Sequence, residues 1–140
     1  MSNPQGISPN GRPYSIIIGE ASKFQAKQLQ QILESEGYKV LSMAANGKEV
    51  MEAYSANKQV DLIIMELNMP VMDGYATFWD LKEASAILPK IFFVTDENTP
   101  AVSKNLIENG AVDYMIKPIK REKILERVKE AIDKVNPTFR

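Results

Sequence analysis

Five polar side chains, Glu20, Glu66, Thr95, Asp96 and Lys117, stand at the ends of short apolar runs. They supply three carboxylates, one hydroxyl and one ammonium. A single charged residue after a strand is usually the chain returning to water, because loops lie on the surface. Five such groups on one edge would make a polar rim able to hold a ligand. Other chemistry is excluded at the outset. The 140-residue chain has no cysteine and no histidine. That removes disulfides, thiol nucleophiles, zinc sites of the usual ligand types and Ser-His-Asp catalysis.

Whether the five groups meet depends on the elements beneath them. The apolar runs are Tyr14–Gly19, Lys39–Met43, Val60–Met65, Ile91–Thr95 and Asp113–Ile116. Several are rich in Ile and Val, as buried parallel strands are. Helical segments are predicted between them. Ser22–Glu36 opens on a Ser cap and stops at Gly37. Gly47–Asn57 is shorter, as is Gly74–Ala84, which Asp73 caps. Thr99–Asn109 has a Thr cap, Pro100 at its first position and Gly110 as its stop. In Arg121–Val135, residues Ile124, Leu125, Val128, Ala131, Ile132 and Val135 form one apolar stripe. Strict alternation predicts a parallel sheet with helices on both faces. In such sheets ligands bind outside the carboxyl ends of the strands, where the five polar groups fall.

Composition bounds the rest. The length suits one domain, and 44% hydrophobic with 25% charged residues is ordinary for a globular protein. A net charge of −1, from 17 basic and 18 acidic residues, argues against a broad nucleic-acid surface. No apolar run approaches the ~18 residues of a membrane span. The first residues lack the apolar core of a secretory signal. The expectation is a cytoplasmic protein that binds neither nucleic acid nor membrane. Residues 1–13 hold three of the eight prolines without helix or strand periodicity, so a flexible arm is expected there. A domain over 14–136 and a tail over 137–140 follow. With no effector domain read after the last helix, output is expected from the domain's own surface.

The stretch DLIIMELNMPVMDG, residues 61–74, closely resembles the third strand and following loop of response-regulator receiver domains, which carry Asp where this chain has Glu66. The likeness extends from Tyr14 to Val135. It includes SKFQAKQL after the first strand, Asn46-Gly47, FFVT at 92–95 and GAVDYMIKP at 110–118. The resemblance implies a flavodoxin-like (βα)5 fold, a doubly wound parallel five-stranded sheet of order 2-1-3-4-5. It also implies a role in two-component phosphorelay signalling. In that family a sensor kinase's phosphohistidine, or a small phosphodonor, passes its phosphoryl group to an Asp ending strand 3. Acids ending strand 1 help bind Mg²⁺, which neutralises the phosphoryl oxygens. By resemblance, Glu66 takes the phosphoacceptor position and Thr95 the switch hydroxyl. Tyr114 is the switch aromatic. Lys117 is the phosphate-binding ammonium, and Lys117–Pro118 is the family's cis peptide. Asn68 marks the backbone carbonyl lent to the metal.

Three positions depart from the pattern, and all three oppose phosphorylation. Glu66 is longer than Asp by one bond of ~1.5 Å, and misplacement by ~1 Å can cost ~10²-fold in rate. Ala21 puts a methyl group where the metal-touching acid belongs, and Mg²⁺ demands near-ideal octahedral geometry. Asp96 follows Thr95 where the family prefers a small residue, and with Glu20 it makes an acidic pocket. Two charges ~4 Å apart interact by ~4 kcal/mol at an effective dielectric of ~20.

The sequence is therefore read as a pseudo-receiver, not an enzyme, that acts by protein interaction. Mg²⁺ binding is expected to be weak or absent, with Glu20, Glu66 and the Asn68 backbone as its only candidate ligands. Glu66 either pairs with Lys117 and holds one conformation, or is a solvent-facing acid left by decay of the site. The alternative is a working Mg²⁺-dependent receiver phosphorylated by a histidine kinase. A haloacid-dehalogenase-like phosphatase is disfavoured, since its D-x-D on the first strand is replaced by Glu20-Ala21-Ser22. Partners, a histidine kinase or a downstream signalling protein, are expected on the fourth helix, fifth strand and fifth helix. Val102, Leu106 and Ile107 are read there as core or docking residues. Trp79 is expected to fold over neighbouring apolar surface.

Overall fold

A computed structural model describes residues 4–135; the tail expected at 137–140 lies outside them. Five strands form one parallel sheet of order β2-β1-β3-β4-β5. They are β1 (Ser15–Gly19), β2 (Lys39–Ala44), β3 (Leu62–Met65), β4 (Ile91–Thr95) and β5 (Asp113–Ile116). Five helices connect and close them: α1 (Lys23–Glu34), α2 (Gly47–Ala56), α3 (Gly74–Ala84), α4 (Pro100–Glu108) and α5 (Arg121–Asp133). The flavodoxin-like expectation holds in element order and sheet order.

The sheet is buried on both faces, so its central strands are apolar throughout rather than alternating. One face carries Ile16, Ile18, Leu62, Ile64, Phe92 and Val94 against α1 and the apolar stripe of α5. The other carries Ile17, Ile63, Met65 and Phe93 against Val50 of α2, Phe78 and Leu81 of α3, and Leu106 of α4. Trp79 is half-buried, edge-on to Phe78 at 5.5 Å.

Local chemistry sets the helix ends. Ser22 accepts from the Gln25 N–H and Asp73 from the Ala76 N–H, each satisfying an otherwise orphan donor. Gly37 and Gly110 follow α1 and α4 at φ of 87° and 115°, a region costly for other residues. Thr99 differs from expectation. It sits at the cap position of α4, but its hydroxyl bonds Glu97 instead of a helix N–H.

Residues 4–13 do not behave as the expected flexible arm. The Gly6 N–H donates to Glu36 O at 2.8 Å, and Ile7 pairs with Pro13 in an antiparallel bridge. The Gln5 amide donates to Tyr38 Oη at 2.7 Å and to Leu125 O at 2.9 Å. The segment is short of core residues, but these bonds fix it to the α1–β2 turn and to α5.

Candidate functional site

Backbone pairing brings the strand ends together. The Glu20 N–H donates to Ala44 O, the Glu66 N–H to Gly19 O, and the Lys117 N–H to Thr95 O. Each residue that leaves a strand is thus still tied to a neighbouring one. The start of α3 also closes on this edge. The Gly74 N–H donates to Leu67 O, and a Cβ on Gly74 would lie 2.3 Å from Glu66 O. Only glycine permits that approach. Earlier in the same loop Val71 takes φ of 68°, and the Met72 N–H reaches back to Pro70 O at 2.7 Å. A β-branched residue in this region is strained.

Four of the expected side chains meet below the surface. Lys117 Nζ lies 2.7 Å from Glu20 Oε1 and 2.8 Å from Glu66 Oε1. Glu66 Oε2 accepts from the N–H groups of Leu67 at 2.7 Å and Asn68 at 3.0 Å, and from the Thr95 hydroxyl. Glu20 Oε2 accepts from the Ser22 N–H at 2.9 Å. Thr95 is 0% exposed, Glu66 4% and Glu20 7%. Two carboxylates share one ammonium, and backbone N–H groups take part of the remaining charge.

The carboxylate of Glu66 is opposed by burial, which pushes its pKa up. The hydrogen bonds from Lys117, Thr95 and the Asn68 N–H, with the Lys117 charge, outweigh burial and hold it below the ordinary 4.5. Burial likewise pulls Lys117 down, and its bonds to Glu20 and Glu66 hold it above 10.5.

A chain of hydrogen bonds leaves the pocket. Thr95 Oγ1 accepts from the Glu97 N–H at 3.1 Å, and Glu97 O accepts from the Tyr114 hydroxyl at 2.7 Å. The Tyr114 ring packs on Phe93 at 6.1 Å. Burial, with the charges of Glu97 and Glu66, pushes the Tyr114 hydroxyl up to about 12. Sequence reasoning did not single out Glu97. Its one signal was position, two residues after a Thr whose hydroxyl can bond a nearby N–H.

The remaining expected site residues have exposed side chains or lie at the rim. Asp96, expected to form an acidic pocket with Glu20, is exposed. Among the described residues no hydrogen bond or ion pair joins it to Glu20, Glu66 or Lys117. Successive side chains at a strand end point to opposite sides, so burying Thr95 turns Asp96 outward. Ala21, Asn68 and Pro118 are exposed as well, and the Lys117–Pro118 peptide is cis. Glu66 is not the solvent-facing acid of the decay alternative, since both its oxygens are occupied by donors.

The residues present do not fit a resident Mg²⁺. The ion asks for about six oxygens in octahedral array. Here both acids converge on the Lys117 ammonium and the adjoining position is the methyl of Ala21. No group of three acidic, His or Cys residues suited to a metal gathers among the described residues.

The described part of α4 buries only Leu106 in full; Val102 is half-buried and Ile107 exposed. A shallow groove between α4 and β5 is lined by Thr99, Ser103, Ile107, Tyr114 and Ile116.

Residues 16–129 match the model of the response regulator receiver domain. The chemotaxis protein CheY of Treponema pallidum is 36% identical over 126 residues, covering 89% of this chain and 87% of that protein. CheY of Thermotoga maritima is 32% identical over 123 residues, covering 86% and 96%. The solved CheX-CheY-BeF3-Mg complex of Borrelia burgdorferi superposes with a TM-score of 0.90 at 30% identity, covering 95% of this chain and 100% of the other. Among the described residues no helix is long and apolar enough to cross a membrane.

Proposed function

This chain belongs to the response regulator receiver domain family of two-component systems, with CheY-like relatives, and from that premise we propose that it signals without being phosphorylated. It is a pseudo-receiver, acting as a cytoplasmic protein-interaction module and catalysing nothing. One observation carries this reading. Glu66 already holds the Thr95 hydroxyl, two backbone N–H groups and the Lys117 ammonium. A phosphoryl group on a shorter acceptor would call on the same hydroxyl and ammonium. The Glu66 carboxylate substitutes for it permanently.

The consequence runs outward. With Thr95 drawn to Glu66, its oxygen takes the Glu97 N–H, and the Glu97 carbonyl holds Tyr114 by its hydroxyl. The surface of α4, β5 and α5 is therefore set in one state, available to a histidine kinase or a downstream signalling protein. The Borrelia burgdorferi relative was solved in complex with CheX, a protein partner. No Mg²⁺ is required, since Lys117 supplies the positive charge between the two acids.

The second reading is a working Mg²⁺-dependent receiver, favoured by the BeF3 and Mg named in that relative's complex. Amide NMR separates the two. A small phosphodonor with Mg²⁺ is added and the resonances of Leu67, Asn68 and Glu97 are followed. Unmoved resonances are expected here. Saturable shifts in all three would establish the working receiver.

A further inference from the structure

We propose that α3 carries a two-point clasp that holds α4 in place, independently of the pocket. Left to itself α4 is weak. It has nine residues and buries only Leu106 fully, and its cap residue Thr99 makes no side-chain bond to a helix N–H. Isolated helices shorter than ~12–15 residues are marginal in water.

Two side chains of α3 reach across to α4. The Tyr75 hydroxyl donates to Asn105 Oδ1 at 2.7 Å, in the body of the helix. Lys82 Nζ donates to Asn109 O at 2.7 Å, at the C-terminal cap. A cation there also complements the negative end of the helix dipole. Tyr75 and Lys82 are seven residues apart, two helical turns, so one face of α3 presents both. The face is backed by packing. The Tyr75 ring lies 6.2 Å from Trp79, which meets Phe78 edge-on at 5.5 Å, and Phe78 lies 5.9 Å from Phe93 in the sheet.

The start of α4 is approached from the other side, where Tyr114 on β5 holds the Glu97 carbonyl. The clasp therefore fixes the wall of the α4–β5 groove from behind. It does so without touching Glu20, Glu66, Thr95 or Lys117. The proposal stands or falls separately from the chemistry of Glu66.

The test is amide hydrogen exchange on the full chain with no phosphodonor present. Tyr75→Phe keeps the ring and removes the hydroxyl; Lys82→Met keeps the stem and removes the charge. Each is expected to speed exchange of α4 amides by roughly two- to fivefold, and the double variant by roughly tenfold or more. Amides of β3 and α5 should keep their rates. Asn105→Ala should match Tyr75→Phe and add nothing to it. Wild-type α4 rates in the double variant would overturn the clasp. So would an equal acceleration in β3, α4 and α5, which reports global destabilisation instead.

Discussion

Lys117 Nζ lies 2.8 Å from Glu66 Oε1, with only 7% and 4% of the two side chains exposed. The same ammonium is shared with Glu20 at 2.7 Å. Removing one partner of a buried pair strands charge in a poor solvent, which typically costs about 3–5 kcal/mol. Lys117→Met is thus expected to lower unfolding free energy by about 3 kcal/mol at neutral pH, measured by urea unfolding.

The pH dependence of that loss has a definite sign. In the native chain Glu66 titrates below its ordinary 4.5. Its contribution is present above 4.5 and is lost as pH falls through the folded value. In Lys117→Met burial is left without the opposing ammonium, so the Glu66 carboxylate should titrate above its unfolded value and acid stabilises that variant relative to neutral pH. Urea midpoints of the two proteins should converge between pH 7 and pH 4. A gap of constant size would count against the buried triad. On the alkaline side, Lys117 sits above 10.5, so its contribution persists to that value and fades as pH rises further.

Tyr114 offers an independent check on the chain of bonds leaving the pocket. Burial raises the hydroxyls of Tyr114 and Tyr38 to about 12 each. In an alkaline titration followed by ultraviolet absorbance, these two of the five tyrosines should ionise late. Because the folded value exceeds the unfolded one, stability falls as pH rises from 10 towards 12. Tyr114→Phe should remove one late ionisation and cost about 1 kcal/mol for the bond to Glu97 O. A normal ionisation of all five would place the hydroxyl in water.

The amide of Gln5 joins residues 33 and 120 positions away. Gln5→Ala is expected to destabilise the chain by roughly 1–2 kcal/mol for two lost bonds. The Tyr38 hydroxyl would keep its late titration, because burial is the main cause of that shift. Unfolding at the wild-type denaturant midpoint would show the N-terminal segment to be energetically idle.

Much of this architecture was legible from local pattern. Runs such as LIIM in β3 and IFFVT in β4 are wholly buried, as strands of a parallel sheet covered on both faces are, and their alternation with helical segments pointed to that sheet. Ser22, Asp73, Gly37 and Gly110 marked helix ends through chemistry confined to a few residues. The pairing of Glu66 with Lys117 was one of two open readings, beside a solvent-facing Glu66, and the burial of both side chains decides between them. Glu20's share of that ammonium was not foreseen, because the convergence of strand ends does not say which carboxylates one ammonium reaches. Asp96 is exposed rather than gathered with Glu20, because side chains alternate at the end of β4 and Thr95 takes the buried side. The docking of Gln5 was invisible for a simpler reason. Its partners are a tyrosine hydroxyl and a helix carbonyl whose proximity exists only after folding.

The claim that the Glu66 carboxylate, held by Lys117 and Thr95, takes the place of a phosphoryl group is tested most directly by intact mass. The chain is incubated with a small phosphodonor and Mg²⁺ beside the triple variant Ala21→Asp, Glu66→Asp, Asp96→Ala. The native chain should keep its unmodified mass while the variant gains one phosphoryl group. A stoichiometric phosphoryl adduct on the native chain would contradict the account.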